Sequence, residues 1–212
     1  MKDKKATILI DLNQSEEEIY DKFSKDLRWG IRRAQKEGLY LKERYSDVSW
    51  MVFKRMFRET WWSVSPKLDE MVVQWRMDRS RRLFFVMKPE EEVTDAIVGY
   101  AIVKDMSDRL NMEYLSYAHK DFIKWRVNDI IHWELIKLAK QEKKSYFDVG
   151  GYQLGAKGKT DKVNKYKEQF NGELVITEVK GNFFYILGRK IVRRFPWITL
   201  MRKKMRGYKF NE

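Results

Sequence analysis

Three strand-like segments in a row, joined by polar turns, constrain the fold of this chain more than any other feature. They are RLFFVMK, DAIVGYAIVK and MEYLSYA, and the stretches PEEEVT and DMSDRLN separate them. Turns this short join antiparallel neighbours, because a parallel connection needs a crossover of about a dozen residues or more. The sequence therefore predicts an antiparallel meander over residues 82–118.

A helix and a buried strand follow the meander. Asn128 is a suitable N-cap, and apolar residues recur behind it at helical spacing, at Ile130, Ile131, Leu135 and Leu138. SYFDV then has the composition of a buried strand. Beyond it we expect a short helix from Lys162 to Gln169 and a closing hairpin, ELVITEV with NFFYILG.

The part of the chain before the meander is predicted to be mostly helical. TILIDL is a short strand, and Ser15 and Glu18 form a capping box that opens a helix running toward Gly38. LYLKERY is a second strand. Two helices, about 48–62 and 67–80, follow on either side of Pro66. Together with the later elements, this order predicts an α+β fold with a mixed, mostly antiparallel sheet flanked by helices.

Composition excludes several classes of function. The chain has 212 residues, no cysteine and two histidines, His119 and His132. Disulfides, thiolate nucleophiles and zinc–cysteine sites are therefore excluded, and no metal site is predicted. No apolar run has the roughly 20 residues of a membrane span, and the first residues lack the apolar stretch of a signal peptide. We expect a cytoplasmic protein, with attachment to the inner face of the membrane as the alternative.

The stretch SYFDVGGYQLGAKGKT resembles a phosphate-binding loop only superficially. A P-loop has the spacing G-x-x-x-x-G-K-[ST], and the residue five before Gly158 is Gln153. Gly151 and Gly155 are both out of register, so an ATPase or GTPase is not indicated. We interpret GAKGKT instead as a flexible basic loop at the rim of a site.

Positive charge is concentrated at the end of the sequence. The net charge is +13, and residues 189–212 contain nine Lys or Arg against one acid. Aromatic and aliphatic residues alternate with these cations, which suits contact with an anionic membrane surface or, almost equally, with a tRNA backbone. We therefore divide the chain into a domain over residues 1–188 and a basic amphipathic tail over residues 189–212.

Three stretches, in this order, resemble the FemABX family of peptidoglycan bridge-forming enzymes. They are ATILIDLNQSEEEIYDKFSKDLRWGIRRAQKEGLYLKE, then YLSYAHKDFIKWRVNDIIHWELIKLAKQEKKSYFDVGG, and VNKYKEQFNGELV. The last resembles the family pattern Y-x-F-K-x-x-F-G-G-E-L-V, with Tyr166 in place of Phe and FNGE in place of FGGE. The resemblance runs from about residue 6 to residue 188.

The resemblance implies a single GNAT acyltransferase domain. It implies transfer of an amino acid from aminoacyl-tRNA to an amine of a peptidoglycan or polysaccharide precursor, which is phosphorylated or lipid-linked. The bridge-forming enzymes typically carry two such modules, whereas this chain has the length of one. An acyl-CoA donor is the alternative, although the loop 120–129 lacks the glycines that usually close on the CoA pyrophosphate. A non-catalytic module that binds RNA or anionic lipid is the second alternative.

The resemblance also selects candidate residues. Lys167 aligns with the family lysine and is the candidate for stabilising the oxyanion. Asp148, at the strand end, either accepts a proton from the amine or holds the glycine turn behind it. Tyr166 either lines the substrate channel or belongs to the core. Candidate binding residues lie on a basic helix, in the loop before the long helix and at the strand end: Arg28, Arg32, Lys36, Lys124, Arg126, Asn128, Gly150 and Gly151.

Overall fold

The computed structural model of the chain describes residues 2–60, 68–89 and 96–180. Within these ranges lie six α-helices, one 3₁₀ helix and seven strands. The strands are β1 Lys2–Asp11, β2 Tyr40–Arg44, β3 Arg81–Lys88, β4 Ala96–Asp105, β5 Arg109–Tyr117, β6 Tyr146–Tyr152 and β7 Glu173–Lys180. The helices are α1 Glu16–Lys22, α2 Lys25–Lys36, α3 Asp47–Thr60, α4 Leu68–Met77, the 3₁₀ helix Lys120–Trp125, α5 Val127–Gln141 and α6 Lys159–Glu168.

The chain divides into two compact units. One comprises residues 7–175, and the other comprises residues 1–6 with residues 176–212. The described part of the second unit consists of the first residues of β1 and the last residues of β7. The helices that the structure describes, the meander and the candidate site residues of the domain lie in the first unit.

The sheet confirms the predicted meander and the predicted fold class. Its strand order is β2-β3-β4-β5-β6-β1-β7, and the pairs β2–β3, β3–β4 and β4–β5 are antiparallel. β5 and β6 are parallel, with α5 as the crossover between them. β5 begins three residues earlier than predicted, because Arg109, Leu110 and Asn111 pair with the first residues of β6 and so extend the strand.

The ladder between β5 and β6 is short. It joins Arg109 to Tyr146, Leu110 to Phe147 and Asn111 to Asp148. Beyond these pairs β5 continues along β4 as far as Tyr117, which pairs with Gly99. The remainder of β6 forms no further ladder with β5 in the described part of the chain. The regular pairing of the two strands therefore ends at Asp148, although β5 still lies close to β6 at Gly150.

Both faces of the sheet are buried at β3 and β4. In β3, the side chains of Phe84 and Val86 belong to one apolar cluster, and those of Leu83 and Phe85 belong to another. Successive side chains of a strand point to opposite faces, so a run of buried residues requires cover on both sides. α2 and α5 contribute to the first cluster, and α3 and α4 contribute to the second.

The helix predicted from Ser15 to Gly38 is two helices. The capping box is confirmed, with a hydrogen bond from the Glu18 amide to Ser15 Oγ and one from the Ser15 amide to Glu18 Oε2. α1 then stops at Phe23, whose buried ring packs edge-on against Phe170. Ser24 caps α2 and donates its amide hydrogen to the Gln169 carbonyl at 2.9 Å. A contact across 145 residues therefore ends the first helix.

α6 also differs from its prediction. It begins at Lys159 rather than Lys162, with Gly158 as its N-cap, so the last two residues of GAKGKT are helical and not part of a loop. ELVITEV forms β7, as predicted, and β7 lies beside β1 in the sheet order. Its predicted partner NFFYILG and the basic tail lie outside the described residues, as does the boundary at residue 188. No helix in the described ranges combines the length and the apolarity needed to cross a bilayer.

Candidate active site

The first part of the site is the end of β6, residues Asp148–Gly151, which we call the strand end. The Asp148 carboxylate is buried and accepts the Gly150 amide at 2.8 Å through Oδ1. The same oxygen accepts the hydroxyl of Thr7 on β1, and that hydroxyl also lies 3.0 Å from the Gly150 carbonyl oxygen. Asp148 therefore holds the turn behind it, which is one of its two predicted roles.

Gly150 and Gly151 differ although they are neighbours. Gly150 has a φ of +87°, and a Cβ on it would overlap the backbone carbonyl of Met112 in β5. A Cβ on Gly151 would meet no atom of the described residues within 4 Å. Gly150 is thus required by the close approach of the neighbouring strand, whereas the backbone at Gly151 has open space beside it.

Lys167 on α6 reaches this open backbone. Its Nζ donates to the Gly151 carbonyl oxygen at 2.7 Å, and the side chain is half-buried. Burial lowers the pKa of Lys167 to about 8, while the nearby Asp148 carboxylate acts in the opposite direction. A lysine in this state is charged at neutral pH and can lose its proton at modest cost.

The second part of the site is the first turn of α5, residues Arg126–Asp129, which we call the helix start. Asn128 was predicted to cap the helix, but the N-cap is Arg126, with a φ of +57° and no side-chain cap. Asn128 lies one residue inside the helix. The correction has a physical cause, because Arg126 is held by two carboxylates: its Nε lies 2.5 Å from Asp129 Oδ2, and its Nη2 lies 2.7 Å from Asp26 Oδ2.

Gly30 on α2 makes this arrangement possible. A Cβ at Gly30 would overlap the Asp129 carboxylate and the Arg126 guanidinium. α2 therefore lies directly against the ion pair, which leaves the Asp129 side chain only 4% exposed. Burial raises the pKa of Asp129, against the lowering effect of Arg126. The Arg126 guanidinium also lies over the ring of Trp29, 5.5 Å from its centroid.

Tyr166 connects the helix start to α6. Its hydroxyl lies 3.3 Å from His132 Nδ1, and its pKa is well above the usual value because of burial and of the charge of Asp129, with which it is hydrogen-bonded. His132 is fully buried, and its Nδ1 lies 2.8 Å from the Asn128 carbonyl oxygen. Burial lowers the pKa of His132 to about 4, so the imidazole is neutral at physiological pH.

The charges at the helix start are unusual for a phosphate site. Helix N-termini attract anions through free amide hydrogens and the helix dipole. Here the carboxylates of Asp26 and Asp129 already lie there, with Arg126 as their shared cation. Both acids line a cleft of about 230 Å³ with Tyr166 and Asn128. The buried Oδ1 of Asn128 has no hydrogen-bond partner among the residues that the structure describes. A pyrophosphate in this cleft would face two carboxylates against one guanidinium.

The basic helix predicted from Arg28, Arg32 and Lys36 is α2. Its apolar face is fully buried, at Leu27, Ile31 and Ala34. Arg28 lies 3.4 Å from Asp21, and Arg32 Nη1 lies 3.3 Å from the Tyr20 hydroxyl. Lys36 is exposed, and Lys124 in the 3₁₀ helix lies over the ring of Trp125. The helix is amphipathic, and whether its cations bind phosphate stays a prediction.

The structure therefore groups the predicted residues into two sets. Asp148, Gly150, Gly151 and Lys167 lie together at the strand end, whereas Arg126, Asn128 and Tyr166 lie together at the helix start. Sequence reasoning missed Thr7, Asp26 and Asp129. A glycine in the middle of the basic helix was the one signal for the last two, since Gly30 costs helix stability without a turn to explain it. In the described ranges, no group of acidic residues and histidines is arranged to hold a metal ion.

Comparison with known proteins supports the fold. No family model and no curated protein sequence matches the chain. The mixed, mostly antiparallel sheet with its parallel β5–β6 pair is the fold class that the sequence predicted. Among solved structures, FemX superposes with a TM-score of 0.67 and 10% identity, over 81% of this chain and 59% of FemX. L-PGS from Bacillus licheniformis superposes with a TM-score of 0.57 and 12% identity, over 91% of this chain and 66% of that protein. The chain thus spans less than two thirds of either protein, and likeness at these identities is a likeness of fold.

Proposed function

We propose that the protein is an aminoacyl- or acyltransferase that forms an amide on an amine of a cell-envelope precursor, a phosphorylated or lipid-linked peptidoglycan or polysaccharide intermediate. The observation that carries the proposal is Lys167, a half-buried ammonium held on the Gly151 carbonyl just beyond the regular pairing of β5 and β6. The resemblance of YKEQFNGELV to the FemABX motif and the fold shared with FemX support the same activity.

The chemistry needs little from the protein. The nitrogen of the neutral acceptor amine attacks the ester carbonyl of the donor, a C–N bond forms, and the C–O bond to the leaving alcohol breaks. The proton that the nitrogen loses passes to the leaving oxygen, so the products are an amide and an alcohol. Negative charge develops on the carbonyl oxygen before the alcohol leaves. An ammonium near that oxygen stabilises the transition state, and removal of one such donor typically costs about 10²–10³ in rate. Lys167 is the group proposed for this role.

Asp148 is proposed to position other groups of the site rather than to take part in the reaction. Its carboxylate accepts the Gly150 amide and the Thr7 hydroxyl, so the turn that presents the Gly151 carbonyl depends on it. Its negative charge also favours the protonated form of Lys167. In this role Asp148 keeps the ammonium charged and in place rather than taking the proton of the amine.

The helix start favours an aminoacyl-tRNA donor over a CoA thioester. A GNAT enzyme that uses CoA binds the donor pyrophosphate at the N-terminus of the crossover helix, and here Asp26 and Asp129 lie there. Repulsion between like charges in a partly desolvated cleft disfavours such binding. We therefore expect specific binding of aminoacyl-tRNA and weak, salt-sensitive binding of CoA and acyl-CoA.

The decisive test pairs two variants of Lys167. Lys167→Met removes the charge and should lower kcat about 100-fold or more, with donor binding unchanged. Lys167→Arg keeps the charge and should retain more activity. The activity of the wild type should fall above pH 8, as Lys167 loses its proton, and that decline should shift to higher pH in Lys167→Arg. Full activity in Lys167→Met would contradict the proposal.

The donor is identified by a binding screen of the full chain. Aminoacyl-tRNA, uncharged tRNA, CoA, acetyl-CoA and a long-chain acyl-CoA are compared by thermal shift and filter binding at two salt concentrations. Preference for charged over uncharged tRNA at high salt supports the aminoacyl donor. Stabilisation by CoA that survives high salt contradicts it and supports the acyl-CoA alternative.

A further inference from the structure

Tyr166 and Lys167 are neighbours in sequence but face different parts of the molecule. The Lys167 ammonium lies on the Gly151 carbonyl of β6, whereas the Tyr166 hydroxyl lies against His132 and Asp129 of α5. The two side chains therefore tie the same turn of α6 to two different elements. In the motif that this stretch resembles, the position of Tyr166 is Phe, which has no hydroxyl.

The hydroxyl belongs to a continuous polar network. It runs from His132 through Tyr166 to Asp129, and from Asp129 through Arg126 to Asp26 on α2. Buried polar groups that satisfy one another in this way fix a single arrangement of the elements that carry them. The network thus sets the position of α6 relative to α5 and α2 at the residue next to Lys167.

Other contacts of α6 are made from the face of the helix opposite Tyr166. The side-chain amide of Asn164 donates to the Gln153 carbonyl at 2.8 Å, and the Tyr152 hydroxyl lies 2.5 Å from Glu168 Oε1 at the exposed end of the helix. These contacts connect α6 to Tyr152, the last residue of β6, and to Gln153, which follows β6. Tyr166 links the helix to α5, through a hydroxyl that is buried.

We propose that Tyr166 is a positioning residue, whose hydroxyl holds the turn of α6 so that the Lys167 ammonium stays on the Gly151 carbonyl. The importance of holding the Lys167 ammonium on the Gly151 carbonyl rests on the proposed function. The effect of the Tyr166 hydroxyl on the position of Lys167 does not. Without the hydroxyl, Asp129 keeps Arg126 and His132 keeps the Asn128 carbonyl. The ring at position 166 still packs against His132, but the polar link between α6 and α5 at this residue is lost. Lys167 then spends more time in water.

The test measures the state of Lys167 without any substrate. The full-length protein is labelled with a trace of acetic anhydride between pH 6 and 11, and the rates at Lys167 and at the exposed Lys162 are compared by peptide mass spectrometry. In the wild type, Lys167 should label with a midpoint near pH 8, because burial lowers its pKa to about 8. In Tyr166→Phe the midpoint should rise by about one unit, which lowers the relative labelling of Lys167 at pH 7 about tenfold.

Tyr152→Phe is the matched control, since it removes a tyrosine hydroxyl that contacts α6 at its exposed end. It should leave the Lys167 midpoint unchanged. An unchanged midpoint in folded Tyr166→Phe, or an equal shift in both variants, would overturn the inference. If Tyr166→Phe does not fold, Asp129→Asn removes the charged end of the same link and should shift the midpoint in the same direction. Absence of transferase activity would overturn the proposed function and leave this result intact.

Discussion

The strand end and the helix start contain the same kinds of group in opposite states. Each has a buried carboxylate, Asp148 at 6% and Asp129 at 3% exposure, and each has a cation beside it. At the helix start, the Arg126 guanidinium forms ion pairs with both Asp26 and Asp129. At the strand end the ammonium has a carbonyl as its partner, and open space lies over Gly151.

The difference matches the proposed division of roles, with a structural polar cluster at the helix start and a reactive lysine at the strand end. Arginine stays charged at any relevant pH and holds two carboxylates through its planar fork, so it suits the helix start. Lysine is a point charge whose pKa responds to burial, so it suits a position where an ammonium must stabilise a transient negative charge. Four measurements test whether the two regions divide the work in this way.

The largest effect is expected at Gly150. Gly150→Ala combines a strained φ with a backbone clash against Met112 and should destabilise the protein by about 3–5 kcal/mol. Gly151→Ala has open space and should cost about 0.5 kcal/mol or less. Urea denaturation of both variants measures the difference. Equal losses would mean that the strands do not approach at Gly150 as described.

The second effect is a pH dependence at His132. Burial lowers the pKa of His132 to about 4, from 6.5, so between these values the unfolded chain binds more protons than the folded protein. The wild type therefore loses stability as the pH falls from 6.5 to 4. In His132→Phe this loss is absent, and the curve should be flatter by about 2–3 kcal/mol over the window. Parallel curves for the two proteins, measured by urea denaturation, would show that the imidazole is not buried as a neutral group.

The third comparison sets a buried arginine against an exposed one. Arg126→Gln leaves the Asp129 carboxylate without its cation and should cost about 2–3 kcal/mol. Arg28→Gln removes an ion pair whose side chains are 31% and 66% exposed, and should cost about 0.5 kcal/mol. Thermal and urea unfolding provide the comparison. A larger cost at Arg28 would assign the structural role to the exposed face of α2 instead.

The smallest effect is expected at Lys167. Burial lowers its pKa to about 8, from 10.5, so above pH 8 the unfolded chain binds more protons than the folded protein. The wild type should therefore gain stability relative to Lys167→Met as the pH rises from 8 to 10.5. We expect about 1–2 kcal/mol, reduced from the full linkage because Lys167 is partly exposed. A difference between the proteins that does not vary with pH would contradict a desolvated ammonium.

Local signals explain what the sequence predicts correctly. The capping box joins Ser15 to Glu18 within one turn of α1, and Gly38, with a φ of +72°, directly follows the C-cap of α2. The meander follows from short turns between apolar runs. These features depend on neighbouring residues, so a single sequence contains the information needed to recognise them.

The failures involve partners that are distant in sequence. The end of α1 depends on a carbonyl at Gln169, and the replacement of Asn128 by Arg126 as N-cap depends on Asp26, which lies 100 residues earlier. The same applies to the candidate site, where the resemblance to a family motif selected Lys167 and Asp148 but gave no signal for Thr7. A residue that acts through the fold, rather than through its neighbours, gives no local pattern to read.

The absence of a β-carbon at Gly30 constrains how the sequence can change during evolution. Any β-carbon at this position would overlap the Asp129 carboxylate and the Arg126 guanidinium. A lineage that replaces Gly30 must therefore also change position 126 or 129, and a lineage that keeps the ion pair must keep the glycine. We expect position 30 to vary together with positions 126 and 129 among relatives, although almost a hundred residues separate it from them along the chain. That covariation would identify the relatives in which α2 packs directly against the ion pair of the helix start.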